Sequence, residues 1–219
     1  MKAELIDYMG TDLTVVNAAR VSFDKESEWE VTFVGDELQD KDKKLISYLA
    51  NHNHWTPFSH VMITMRETVP IFVARQRFKH MVGFTYNETS RRYVDTPPEF
   101  YVPTEWRGRA ENAKQGSSDV VLFGEEIVGL TDYHEHCTAF YQDLLDSGVA
   151  PEQARMVLPQ SMYTSYYVTG SLAAWARAYK LRIDPHAQKE IQDLAKQWDD
   201  IISNIQELRH SWNALTLKS

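Results

Sequence analysis

Between Arg75 and Tyr93 the chain reads RQRFKHMVGFTYNETSRRY, a run that concentrates side chains able to hold a small anion. Arg75, Arg77, Lys79, Arg91 and Arg92 put five of the 23 Lys and Arg into 18 positions, where an even spread would put roughly two. A nucleotide phosphate needs several donors, and charge-assisted hydrogen bonds are worth about 1.5–3 kcal/mol each. Ser90, Arg91 and Arg92 can supply them, and Glu88 can accept from a sugar hydroxyl or hold an arginine in place. The net charge is −8, which argues against a nucleic-acid polymer as ligand. One cationic cluster in an acidic chain suits a pocket for a small anion. By pattern alone, the same residues also describe a solvated basic strand edge.

The elements around this run are mixed. Lys2 to Asp7 reads as an edge strand, and Asp12 as N-cap of a short helix through Val15, Val16 and Ala19. A helix over Asp40 to Asn51 should bury Leu45, Ile46 and Leu49. HNHWTPFSH forms a turn, and His60 to Thr68 alternates as a strand with Val61, Ile63 and Met65 on one side. Pro70 fits the first turn of a helix that carries Ile71, Ala74, Phe78 and Met81 toward the core. Arg75, Gln76, Lys79 and His80 share its opposite flank. Tyr86 to Val94 is expected to be extended, ending at Pro97–Pro98, and Pro103 to Ser118 to be a polar loop.

The second half reads as mainly helical. One helix is expected from Asp119 to Leu145, with Phe123, Ile127, Leu130, Cys137 and Leu144 along one stripe and Gly148 closing it. A short helix from Pro151 holds Arg155, Met162 to Thr169 forms a strand, and Gly170 precedes a helix from Ser171 to Leu181. Asp184 and Pro185 open a last long helix whose apolar face runs through Ile191, Leu194, Trp198, Ile202, Ile205, Leu208 and Trp212. The fold class expected is α+β, a modest mixed sheet with helices, in a single domain spanning 1–219.

Composition narrows the setting. A hydrophobic fraction of 43% with 25% charged residues is that of a globular chain, and no apolar run is long enough for a bilayer. MKAELIDYMG lacks the apolar core of a signal peptide, and one cysteine suits a reducing compartment, so a cytoplasmic location is expected. Cys137 lies on an apolar stripe and reads as a packing residue. His134, Glu135, His136 and Cys137 do not share a helical face in the way a metal site needs, so no metal is expected. Neither a G-x-G-x-x-G nor a G-x-x-x-x-G-K-[ST] motif is present.

The run from Arg75 to Tyr93 resembles the signature of the flavin-dependent (ThyX-type) thymidylate synthases, an Arg-His-Arg triplet, a short spacer and a Ser preceding Arg-Tyr. IFVARQ at 71–76 and NETSRRY at 87–93 extend the likeness. ARVSFD at 19–24, HWTPFSH at 54–60, ARMVLP at 154–159 and LRIDPHAQKEIQ at 181–192 follow in that family's order. The departures are specific. Lys79, His80 and Met81 stand for Arg-His-Arg, and the segment from His80 to Asn87 is one residue longer. Ser59 stands for a Glu, and Ser171 and Ala173 for an Asn and an Arg, with Arg177 further on. Lys keeps a charge but loses the planar fork of Arg, and Met81 loses the charge.

The resemblance implies that Gln76, Arg77, Phe78, Lys79, Glu88, Thr89, Ser90, Arg91, Arg92, Arg155 and Arg182 contact dUMP. It implies that Thr56, Lys79, His80, Met81, Glu88, Ser171, Leu172, Ala173 and Arg177 contact FAD, with His54 and His186 near the flavin. Arg182 is the implied catalytic residue. A fixed guanidinium beside the pyrimidine stabilises charge on N3 and its flanking carbonyls, so that C5 becomes nucleophilic. Arg182 equally suits the end of the helix near Leu181, where a cation offsets the dipole by about 0.3–1 kcal/mol.

The implied reaction is methylation of dUMP to dTMP, using 5,10-methylenetetrahydrofolate, NADPH and FAD. The implied assembly is a homotetramer with sites shared between subunits. The altered triplet leaves open a related product such as 5-hydroxymethyl-dUMP, and the basic run alone would also fit a non-catalytic anion-binding module.

Overall fold

A computed structural model describes residues 1–33, 35–94, 96–110, 116–122, 124 and 129–217. Strand β4 proper spans Met62–Pro70, and its alternate residues Ile63, Met65, Glu67 and Val69 are fully buried. A strand over Tyr163–Ser171 repeats the pattern with Thr164, Tyr166, Val168 and Gly170. Period-two burial of this kind means one covered face. These two strands pair antiparallel at the centre of a four-stranded sheet. Taken in chain order, β1 is Lys2–Met9, β2 Glu30–Thr32, β3 Gly35–Glu37, β4 Met62–Pro70, β5 Phe84–Glu88, β6 Trp106–Arg109, β7 Ser117–Leu122 and β8 Tyr163–Ser171. The main sheet runs β1-β4-β8-β5, and β2-β3 and β6-β7 form separate two-stranded ribbons.

The helices are α1 Asp12–Arg20, α2 Asp40–Asn51, α3 Ile71–Arg77, α4 Leu130–Asp146, α5 Pro151–Ala154, α6 Leu172–Arg182, α7 Lys189–Ser203 and α8 Arg209–Thr216. The sheet's covered face packs against α3, α6 and α7, where Trp175 and Trp198 meet edge to face at 5.5 Å. Trp175 Nε1 donates to Ile63 O at 3.2 Å, which satisfies the indole inside the core. Among the described residues, no helix is long and apolar enough to cross a membrane.

The α+β class, β1 and the bounds of α2 follow the sequence reading, and several local expectations need correction. Thr11, not Asp12, caps α1; Asp12 is buried and accepts from His210 N (3.0 Å) and Ser211 N (2.9 Å) at the start of α8. Pro70 ends β4 as the residue before α3, instead of lying in the helix. Helix α3 stops at Arg77, so Met81 is 74% exposed and Val73, Ala74 and Arg77 take the buried positions. Of the 86–94 segment only Tyr86 to Glu88 pairs, as the end of β5; after it the chain turns, with Tyr93 N donating to Ser90 O at 3.0 Å.

The expected helix over 119–145 starts at Leu130, because Ser117–Leu122 pairs with Trp106–Arg109. Phe123 and Ile127 lie outside the described residues. This ribbon also replaces part of the loop expected over 103–118. Gly170 is the penultimate residue of β8, and Ser171 is the N-cap of α6. Asp184 accepts from His186 N in a tight turn, so α7 opens only at Lys189 with Gln188 as N-cap. The long apolar face is buried as read, but the chain breaks after Ser203, makes a 3-10 turn at Gln206–Leu208 and resumes as α8.

Arg77 explains why α3 ends where it does. Its guanidinium is fully buried, 3.3 Å from Glu67, and stands 4.4–5.3 Å from the rings of Phe84, Tyr86, Trp175 and Trp198. Arg77 Nη1 donates to Tyr86 Oη at 2.6 Å, and that hydroxyl donates to His80 O at 2.7 Å. Burial pushes the Tyr86 phenol up to about 12, Arg77 pulling the other way, so it stays a donor across the neutral range. The 78–80 turn is thereby tied to the core. Removing one partner of a buried pair strands the other charge, so Glu67→Ala is expected to lower stability by about 3–5 kcal/mol in urea denaturation. The joint replacement Glu67→Leu with Arg77→Met should recover most of that loss.

Candidate active site

Two groups of polar side chains stand apart on the main sheet. At one, a cavity of about 1030 Å³ opens beside the first residues of β8. Glu88, Thr89, Ser90 and Arg91 line one wall, Arg155 and Glu152 another, and Arg66 and Thr68 the floor. Strand pairing builds it: Thr89 N donates to Ser165 O (2.9 Å), and Arg66 Nε reaches Ser165 Oγ at 3.1 Å. Thr164 Oγ1 donates to Glu88 Oε1 at 2.6 Å, which fixes that carboxylate at the rim. Arg91 is braced by the carbonyls of Thr96 and Pro97, and Arg155 Nε by Glu152 O at 3.3 Å. Arg92 is exposed, next to Ser90 Oγ (3.4 Å) and the Tyr93 ring, and does not line the cavity.

Sequence reasoning missed Arg66, Thr68 and Ser165. The available signal was the alternation of β4, which sends Arg66 and Thr68 to the face opposite Ile63 and Met65.

The arginines sort by partner. Arg20, Arg77 and Arg107 are paired with Asp42, Glu67 and Glu190. Among the described residues, Arg66, Arg91, Arg155 and Arg182 form no ion pair with a carboxylate. A cation held by neutral acceptors is free to meet an anionic ligand. Arg77, named from the sequence as a nucleotide contact, is instead wholly enclosed in this chain, and Phe78 packs edge-on against Tyr86 and Tyr166.

On the helical side, Arg182 Nε donates to His80 Nε2 at 2.8 Å and its Nη2 to Gln76 O at 3.1 Å. Burial first, then Arg182, Arg77 and Arg177, lowers His80 to about 4. The ring is therefore neutral at pH 7, with its lone pair on Nε2 and its proton on Nδ1. Burial also pulls the Arg182 guanidinium down, with Arg77 adding to the effect, and it remains cationic.

The start of α6 lies at the far end of β8, roughly 26 Å from Tyr163 at about 3.3 Å per residue. There Ser171 N donates to Gly83 O (3.1 Å) and Leu172 N to Val61 O (2.9 Å). Gly83 has φ +79°, and a Cβ on it would stand 2.9 Å from Ala174 Cβ, so only glycine lets this turn close on the helix. The Leu172 side chain is in the core and Ser171 Oγ accepts from Ala174 N, so in this chain both positions have side chain and N–H already committed. Lys79, Met81, Arg177, His54 and Thr56 are exposed around this end, and Arg177 donates to Val82 O. His186 is exposed in the turn after α6, bonded to Asp184.

The donor set suits a dinucleotide. Lys79 and Arg177 offer charge, Thr56 and His54 neutral donors, and exposed Trp55, Met81 and Val82 apolar surface for a flat ring. Among the described residues, no group of three or more His, Cys, Asp or Glu is placed to hold a metal. Cys137 is buried on α4 and lines neither group.

Residues 4–206 match the family described as thymidylate synthase complementing protein. The chain is 39% identical over 211 residues to a flavin-dependent thymidylate synthase of Thermosipho africanus, covering 95% of this chain and 86% of that protein. A flavin-dependent thymidylate synthase of Thermus thermophilus is 38% identical over 198 residues, covering 90% and 70%. Among solved structures, a UMP/dUMP methylase from Streptomyces cacaoi, bound with 5-Br dUMP, superposes with a TM-score of 0.81 at 30% identity, covering 98% of this chain and 94% of that one.

The His80 environment sets a pH dependence. Its folded value lies below the unfolded 6.5, so its neutral form contributes stability that is full above pH 6.5 and is lost as pH falls toward 4. The urea midpoint of the native protein is expected to drop more steeply over that window than the midpoint of His80→Asn. Parallel curves would contradict the assignment.

Proposed function

Since the chain belongs to the thymidylate synthase complementing protein family, we propose that it methylates dUMP to dTMP, with FAD as cofactor and 5,10-methylenetetrahydrofolate and NADPH as co-substrates. The observation that carries this reading is the set of unpaired arginines: three in one cavity, and Arg182 on the helical side, braced by His80 and Gln76. In the cavity, Arg66, Arg91 and Arg155 neutralise the nucleotide phosphate and Ser90 adds a neutral donor. Glu88, oriented by Thr164, accepts from a sugar hydroxyl.

Arg182 acts on the base. Uracil C5 is a weak nucleophile, and a guanidinium held beside the pyrimidine stabilises the charge that develops on N3 and its carbonyls. His80 is a positioning residue: neutral, it accepts from Arg182 Nε and adds no competing charge. Lys79, Arg177, Thr56 and His54, with the main chain at Ala173, hold FAD, which when bound carries the reducing equivalents of NADPH to the transferred carbon. Cys137, enclosed on α4, is not needed as a nucleophile.

Because neither Arg182 nor Gln76 lines the cavity, a complete site draws on more than one copy of the chain. We assign it a homotetramer, a single catalytic domain over its length, and, from its one cysteine, a cytoplasmic setting.

The purified protein is expected to be yellow, to bleach with NADPH and to regain its flavin absorbance with dUMP and methylenetetrahydrofolate. Mass analysis should find a plain methyl on C5; an oxygen retained on the new carbon would replace this reaction with hydroxymethylation. Arg182→Ala should cut kcat by at least about 100-fold with the flavin spectrum intact. Arg155→Ala should raise KM for dUMP about 10-fold, the loss of roughly one charge-assisted hydrogen bond. Protein with no flavin and no affinity for added FAD would end the proposal.

A further inference from the structure

A directed chain of hydrogen bonds leads from the β6–β7 ribbon to Gln76. Arg107 Nη2 lies 2.7 Å from Glu190 Oε1, and Tyr101 Oη donates to the same oxygen at 3.4 Å. Gln188 Nε2 donates to Glu190 Oε2 at 2.8 Å, and Gln76 Nε2 donates to Gln188 Oε1 at 2.6 Å. Gln76 is also the residue whose main-chain oxygen accepts from Arg182. Glu190 is buried at the start of α7, and none of the mechanism above uses it or Gln188.

The polarity of this chain follows from one end. A carboxylate only accepts, and Glu190 stays ionised: burial pulls its carboxyl up, but hydrogen bonds from Arg107 and Gln188 and its own backbone N–H outweigh that and hold it below the usual carboxylate range. Gln188 must therefore turn its NH₂ to Glu190 and its oxygen to Gln76. Gln76 must turn its NH₂ to Gln188. Its own Oε1 is left as an acceptor that receives no hydrogen bond among the described residues, on the residue whose main-chain oxygen accepts from Arg182.

We propose that Glu190 and Gln188 are positioning residues that lock Gln76 as a hydrogen-bond acceptor, so that the site selects the imide N3–H of uracil over the unprotonated N3 of cytosine. The proposal rests on the reading of Gln76 and Arg182 as base contacts. An acceptor from Gln76 with a donor from Arg182 matches an imide edge, whose N–H is flanked by carbonyls. Cytosine presents a lone pair at N3, which would face Gln76 Oε1 with no proton between them. An unrestrained glutamine would rotate its amide and accommodate either base, because the two ends of a primary amide are nearly isosteric. The locked polarity removes that freedom, and a site left with an unmatched polar group rejects the wrong ligand strongly.

The test uses the flavin-loaded enzyme and compares binding of dUMP and dCMP, read by perturbation of flavin absorbance, in the native protein, Gln188→Leu and Glu190→Gln. The two nucleotides share phosphate and sugar, so the ratio of their dissociation constants reports the base alone. The native protein is expected to favour dUMP by at least about 100-fold, and each variant to narrow that ratio about 10-fold or more. Glu190→Gln is near-isosteric and serves if Gln188→Leu does not fold. A ratio unchanged in the variants, or both nucleotides weakened by one common factor, would overturn the relay and identify these residues as structural. Equal binding of dUMP and dCMP by the native enzyme would overturn the relay alone, and binding of neither would overturn the dUMP reading beneath it.

Discussion

The buried pair of Glu67 and Arg77 is the contact on which the other parts of this molecule depend. Glu67 belongs to the centre of the main sheet, and Arg77 to the last turn of the helix that leaves it. The ion pair itself need not add stability, since desolvating two charges costs roughly what their attraction returns. Its contribution is geometric. The aromatic rings of Phe84, Tyr86, Trp175 and Trp198 close around the guanidinium, and Tyr86 passes the constraint to the carbonyl of His80. His80 then accepts from Arg182, so the core pair and the Arg182 guanidinium belong to one connected network.

Charge in this chain is divided by purpose. Arginines that hold the fold have a carboxylate partner, and those offered to a ligand lean on carbonyls, a hydroxyl or a neutral imidazole. This arrangement keeps a guanidinium oriented without neutralising it. It also explains how a chain of net charge −8 keeps three uncommitted arginines in one cavity beside Glu88, Glu99 and Glu152: local pairing, not the total, sets the field a small anion meets.

Two departures from the family pattern fall where the fold tolerates them. Lys79 and Met81 lie outside α3, in an exposed turn, so neither substitution disturbs packing. That turn is held at both ends, by Tyr86 on His80 and by Gly83 against the start of α6, so its backbone path is set independently of those two side chains. Any consequence of the altered triplet therefore lies in what the turn offers a cofactor, and Arg177 stands beside it, donating to Val82 O.

Much was legible in the sequence because it depended on local chemistry. The alternation in β4 and β8, the amphipathic α2, the apolar set from Ile191 to Trp212 and the family motifs are short-range patterns, readable from residue types and spacing. The ends of elements were less legible, because distant partners decide them. Arg77 reads as one more exposed cation until the rings and Glu67 enclose it. Asp12 reads as a cap for its own helix and caps another nearly 200 residues away. Residues 117–122 read as helix and pair as strand because Trp106–Arg109 lies alongside. Residue types and their order were enough for the family, the mixed class and the group of candidate site residues. Which arginines are neutralised, and which candidate residues line the cavity, emerged only from the folded chain. A hydrogen bond or ion pair across a hundred residues leaves no periodicity in the chain, and it sets the charge a ligand finally meets.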